Sequence, residues 1–247
     1  MRILAKMTWM EAKLFLREPI GAFFTLAFPL MLLFLFGEIY GNKPVEAFGG
    51  YGTIDVSIPA YTAMIIATTG LVSLTITIST YRESGILRRL RTTPISPLTI
   101  LAAQVFVLLL ASAAGMGLLI IAGKLVYGLR FDGNALSYAA GFVLSSVSFM
   151  AFGFILAGLM PSARTAQIVA LALLYPMLFL CGAGYPREFL PESILKVSEF
   201  LPLTYVVTLL RGLWIGESWG LHVKDVVVMV GMLVVGAVIA ARTFRWE

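Results

Sequence analysis

The chain has 247 residues, of which 60% are hydrophobic and 13% charged, with a net charge of +5. A soluble domain carries about 25% charged residues, so the composition excludes an ordinary soluble protein and fits one membrane domain, residues 1–247, with about six spans and short loops. A single cysteine, Cys181, and a single histidine, His222, exclude an intrachain disulfide, a cysteine metal cluster and a histidine relay.

Residues 1–18 read as an interfacial segment, helical over 2–18, ahead of the first span. At about 100° per residue, Arg2, Lys6, Lys13 and Arg17 fall within roughly 60° of one another. Ile3, Leu4, Met7, Met10, Leu14 and Phe15 fill a neighbouring face that Glu11 interrupts. Such a basic amphipathic helix suits the headgroup layer of a membrane; the alternative is a solvated helix packed on the protein's own loops. The first apolar run begins near Ile20 and is long enough to span. It follows a charged helical segment and no small-residue cleavage site stands out, so it reads as a span rather than a cleavable signal.

Six spans are expected near 20–38, 58–80, 98–124, 136–160, 164–184 and 223–241. Pro29 and Pro176 should kink the first and fifth, and Ser96-Pro97 should cap and open the third. Lys and Arg counts orient the bundle. The side carrying the N-terminus holds 11 basic and 4 acidic residues, and the other side 7 basic and 9 acidic. The first side is therefore expected in the cytosol, with both termini inside and the segment 185–222 outside. The basic charge is spread over short loops beside spans, so it gives no sign of nucleic-acid binding.

The first cytosolic loop, 81–97, places Glu83 among the arginines Arg82, Arg88, Arg89 and Arg91, with Ile86, Leu87 and Leu90 as apolar anchors. A helix that mixes anchors with charge suits docking into a groove on a cytosolic partner, although part of this charge satisfies the positive-inside rule alone. Within the second span, Thr68, Thr69, Ser73, Thr75 and Thr77 are hydroxyls that either line a path for cargo or pack helices closely. Gln104 and Gln167 are longer polar side chains near the cytosolic ends of the third and fifth spans.

Between the fifth and sixth spans lie two short helical pieces opened by Pro191 and Pro202. Neither reaches the roughly 20 residues of a crossing, so this segment should enter one membrane face and return. Leu203, Val206, Val207, Leu210, Leu213 and Trp214 give its second piece an apolar face. No acidic or basic residue falls in the middle of a span, which argues against a self-powered secondary carrier or a charge-selective channel. No G-x-x-x-x-G-K-[ST] phosphate loop is present. A lipid-modifying enzyme would need His, Asp and Glu gathered at one membrane face, and the sequence gives no sign of such a cluster.

Leu174, Met177, Leu180, Cys181, Ala183, Leu190, Pro191, Pro202, Leu203, Tyr205 and Arg211 follow an order that resembles the signature of ABC-2 permeases of ATP-binding-cassette exporters. Arg82, Glu83, Gly85, Leu87, Thr93, Pro94 and Ser96 resemble the coupling region of the same family. The resemblance implies an all-α membrane fold with six spans, an interfacial N-terminal helix and re-entrant helices between spans five and six. It implies that Arg82, Glu83, Gly85, Leu87, Arg88, Arg89 and Leu90 receive movement from a separate ATPase subunit, which would hold the ATP and magnesium. This chain itself is expected to carry no cofactor and no catalytic activity. A second permease copy, identical or not, and membrane lipid are the other expected partners. Pro191, Pro202, Tyr205 and Arg211 would belong to an outer element that either gates the path or only caps it. The implied activity is ATP-driven export of amphipathic cargo across the cytoplasmic membrane, with polysaccharide export as the alternative and a secondary carrier or channel further behind.

Overall fold

A computed structural model describes residues 2–17, 19–86, 97–183 and 190–243. Helix α1 (Arg2–Arg17) leads through a turn, Pro19–Ala22, into six helices long and apolar enough to cross a membrane. These are α2 (Phe23–Tyr40), α3 (Thr53–Glu83), α4 (Pro97–Tyr127), α5 (Ala135–Leu159), α6 (Ala163–Leu180) and, after the short turn Trp219–His222, α9 (Val223–Thr243). Helices α7 (Glu192–Ser198) and α8 (Pro202–Trp214) stand between α6 and α9. Among the described residues the β-structure is one isolated bridge, Pro44 to Gly52. The fold is an all-helical membrane bundle, as the composition demands.

Helix α3 is its axis. In the most apolar stretch of α3, 83% of residues are buried within the protein, against 11% for the sixth span. Residues buried only by lipid remain exposed in the isolated chain, so the contrast separates a central helix from peripheral ones. The main core joins Ile54, Ile58, Ile65, Ile66 and Leu71 of α3 to Leu33 of α2, Phe149 of α5 and Leu210 and Trp214 of α8.

Two π-turns shape this packing, Phe23–Ala27 in α2 and Thr68–Ser73 in α3. A π-turn widens the helix locally and turns a carbonyl out of line. Each one meets a glycine. A methyl at Gly115 of α4 would come within 2.8 Å of the Thr25 carbonyl oxygen, and one at Gly153 of α5 would collide with the Gly70 carbonyl. Small residues let helix backbones approach where lipid gives no hydrophobic drive.

Helix α3 starts earlier than hydropathy suggests because polar groups outside the apolar run build its first turn. Asp55 is fully buried and accepts from the Gly52 N–H, the Asn42 side-chain amide and the Arg130 N–H, each at 2.9 Å. Asn42 Oδ1 in turn accepts from the N–H groups of Ile54 and Asp55. This is capping of orphan helix donors, and it also ties the 41–52 and 128–134 segments together. Trp214, at the end of α8, donates to the Arg130 carbonyl at 3.0 Å and meets Phe131 and Tyr138 edge to face.

Candidate functional site

Helix α3 ends in Tyr81, Arg82 and Glu83, and Gly85 stops it. Gly85 takes φ +69°, and its N–H bonds to the Arg82 carbonyl while that of Ser84 bonds to Thr80. A glycine is the residue that turns there without a Cβ penalty. Successive helix positions point about 100° apart, so the three side chains before the stop reach three different neighbours.

The Tyr81 hydroxyl donates to Glu11 Oε2 of α1 at 2.7 Å. Arg82 donates through Nη1 to the carbonyls of Ala157, at 2.9 Å, and Gly158, and through Nη2 to that of Met160. Those carbonyls close the C-terminal end of α5, where the helix dipole leaves partial negative charge. Glu83 Oε2 accepts the Ala163 N–H at 2.9 Å, at the opposite, positive end of α6. Ser162 caps the same end by accepting from the Thr165 N–H. The short link 160–162 between α5 and α6 is thus held from both sides by adjacent residues of α3. Burial pushes the Glu11 carboxyl above its ordinary range, and the Tyr81 hydrogen bond draws it partly back.

Of the residues expected to couple to a partner, Arg82, Glu83 and Gly85 gather at this junction. Leu87, Arg88, Arg89 and Leu90 lie outside the described residues, as do Thr93, Pro94 and Ser96. The sequence singled out Glu83 as an acid among arginines but missed its partner, and it missed the roles of Glu11 and Asp55. A lone acid inside the apolar stripe of α1 was the available signal for Glu11. The spacing from Gly52 to Asp55 was the signal for a helix start.

The hydroxyls of α3 sit inside the bundle. Thr68, Thr69, Ser73 and Thr75 are buried, and Thr77 is half-buried. Thr69 Oγ1 shares a hydrogen bond with Ser112 of α4 at 2.8 Å, and Thr75 donates to the Gly153 carbonyl of α5 at 3.0 Å. Thr68 and Thr69 also donate back to carbonyls of their own helix.

At the far end of the bundle, α7 and α8 meet at 102°. Pro191 caps α7 and Pro202 opens α8, both positions where a missing N–H leaves nothing unpaired. Tyr205 donates to the Glu199 carbonyl at 2.6 Å across the bend, and Lys224 of α9 pairs with the Glu199 carboxylate at 3.3 Å. Arg211 is half-buried on α8. The expected apolar face of α8 is buried throughout, at Leu203, Val206, Val207, Leu210, Leu213 and Trp214.

One expectation is corrected here: the far end does gather a histidine with acids. The turn Trp219–His222 folds His222 over Gly212, placing Nδ1 at 2.8 Å from Asp225 and Nε2 at 2.8 Å from Glu217. Both ring nitrogens are taken by different carboxylates, so the three side chains do not converge on one point. Among the described residues no group of His, Cys, Asp and Glu is placed to hold a metal ion.

A family model described as ABC-2 type transporter matches residues 4–214. Nodulation protein J of Rhizobium leguminosarum bv. viciae is 30% identical over 130 residues, 52% of this chain and 48% of that protein. Inner membrane transport permease YhhJ of Escherichia coli is 26% identical over 133 residues, 53% of this chain and 36% of that protein. The ycf38 protein of Porphyra purpurea is 25% identical over 222 residues, 87% of this chain and 75% of that protein. The match thus spans less than half the length of the first two relatives.

Proposed function

The chain belongs to the ABC-2 type transporter family, and on that premise we propose that it is the permease subunit of an ATP-driven exporter in a cytoplasmic membrane. Two such subunits, identical or different, would form the path between them, and a separate ATPase chain would supply the energy. Both termini and the 81–97 loop would face the cytosol, and α7 and α8 would form a re-entrant element at the outer face. The cargo would be amphipathic: a drug, a lipid or a lipid-linked molecule.

The observation that most supports this reading is the strip Tyr81-Arg82-Glu83. It contacts α1, α5 and α6 at once, so a push on the loop that follows would reach three helices through direct hydrogen bonds. ATP binding would close the ATPase pair against Leu87, Arg88, Arg89 and Leu90, and the strip would carry the displacement into the spans. The buried hydroxyls Thr68, Thr69, Ser73 and Thr75 suit close packing within a subunit, and Thr77, half-buried, would be the one of the five to meet cargo. The outer element would act as a cap anchored by Tyr205 and Lys224, which a gate would have to break.

A polysaccharide cargo is the second reading, supported by the same architecture and the absence of charge in the middle of the spans. The test is reconstitution in liposomes with the ATPase subunit that co-purifies from native membranes. ATP-dependent movement of a fluorescent lipid analogue supports the proposal. Movement that persists without nucleotide or ATPase overturns it in favour of a secondary carrier.

A further inference from the structure

Glu11 is an acid in the wrong place for a surface helix. Met7, Glu11 and Phe15 form one buried stripe of α1 at i, i+4, i+8 spacing, and Glu11 is only 3% exposed. Trp9, on the opposite side of α1, and Met10 and Leu14, along the edge of the stripe, are exposed, with Lys13 beside the Trp9 ring. The helix therefore turns its most apolar exposed side chains away from the bundle, as a helix lying in a headgroup layer does, and turns a carboxyl inward.

A buried carboxyl in an apolar stripe costs free energy unless a specific partner compensates it. A leucine would dock α1 more simply. The partner is the Tyr81 hydroxyl at 2.7 Å, and Tyr81 is the residue next to Arg82 and Glu83. Met7 packs against Ile100 and Ala103, and Phe15 against Val107 and Leu108, so α1 runs parallel to the start of α4. Gln104 lies between these contact positions on α4, and its side-chain oxygen is buried without a hydrogen-bond partner.

We propose that Glu11 is a positioning residue for coupling: by holding Tyr81 it locks α1 to the 81–83 strip, so that the interfacial helix and the ends of α3, α5 and α6 move as one body. The inference rests on the permease reading for its purpose, but its geometry can be tested without it. Glu11 would act through Tyr81 and would touch neither cargo nor nucleotide. The interfacial helix would thereby carry the state of the membrane surface to the place where the ATPase is expected to push.

The test places a nitroxide on the full chain through Thr8→Cys, in lipid nanodiscs of phosphatidylethanolamine and phosphatidylglycerol. Thr8 is half-buried on α1, one turn before Glu11, and Cys181 is buried, so the label goes to the introduced site and reports the docking of α1. Glu11→Ala and Tyr81→Phe should each convert an immobilised spectrum to a mobile one. Glu11→Gln should keep it immobilised, because its amide oxygen still accepts the Tyr81 hydroxyl. Tyr81→Phe removes a single oxygen and keeps the test decisive if Glu11→Ala fails to insert. A Glu11→Ala or Tyr81→Phe spectrum identical to wild type overturns the proposal, and so does a Glu11→Gln spectrum as mobile as Glu11→Ala. A wild-type chain that recruits no ATPase would sink the permease reading while leaving the spectral result in force.

Discussion

Arg82 and Glu83 are neighbours in sequence yet close opposite ends of one short link. Arg82 gathers the carbonyls that end α5, and Glu83 takes the N–H that begins α6. A cation at a helix C-terminus and an anion at a helix N-terminus are each placed with the local dipole. The pair converts the end of α3 into a clamp on residues 160–162.

Arg82→Ala should remove all the Arg82 contacts and leave carbonyls of α5 unpaired. The charge-assisted bonds involved are worth about 1.5–3 kcal/mol in total after competition with water. Glu83 is exposed, so Glu83→Ala should cost less than about 1 kcal/mol. Thermal unfolding of the purified chain checks the order. ATPase stimulation in the assembled complex should fall for both variants, and stimulation at the wild-type level would count against the clamp.

Of the changes Gly153→Ala, Gly85→Ala and Gly117→Ala, the first should be the most damaging, because its methyl meets the Gly70 carbonyl where two spans cross. Overpacking of this kind costs about 1–3 kcal/mol. Gly85→Ala has open space around it but a φ of +69°, so about 1 kcal/mol of backbone cost is expected. Gly117→Ala meets nothing within 4 Å and should be neutral. Melting temperatures of the three variants in one detergent settle the ranking, and equal losses would contradict the crossing geometry.

The spans themselves were legible in the sequence because a membrane helix announces itself through hydropathy alone. What lay hidden was everything carried by groups distant in sequence. Glu83 stood out among arginines, but Ala163 is 80 residues away. Asp55 sat in a stretch read as loop, because its three donors come from residues 42, 52 and 130. The His222 cluster depends on a single tight turn that no periodicity encodes. Apolar stripes report which face is buried; they say nothing about which polar group waits on the other side.

Asp55→Ala should leave three N–H donors without their acceptor at a fully buried site. The loss is expected at about 3 kcal/mol, with Asp55→Asn intermediate. Limited proteolysis in the 41–52 segment should accelerate in step. A variant as stable and as resistant as wild type would show that the clasp contributes nothing.

Burial raises the Glu11 carboxyl above its ordinary value of 4.5. A group whose pKa is raised on folding stabilises the docked state fully below its ordinary value and loses that contribution as pH rises through the raised one. Wild type should therefore lose stability relative to Glu11→Gln from pH 4.5 upward, levelling off once the carboxyl is ionised in both states. Thermal midpoints of the two proteins across this range test it, and a constant difference would contradict a buried, titrating Glu11.

Residue 193 is exposed on α7. The proposed orientation puts a Ser193→Cys thiol within reach of a membrane-impermeant maleimide added outside intact cells. Labelling only after the membrane is opened would invert the topology.

In the proposed function, energy enters at the loop after Glu83 from a separate ATPase. The most direct measurement of this is a photo-crosslinking amino acid at Ile86 in native membranes, with the crosslinked chain sequenced by mass spectrometry. One dominant adduct is expected, its sequence carrying a G-x-x-x-x-G-K-[ST] phosphate loop, formed from position 86 and not from position 193. Adducts from position 86 that contain no such loop would contradict the proposed function.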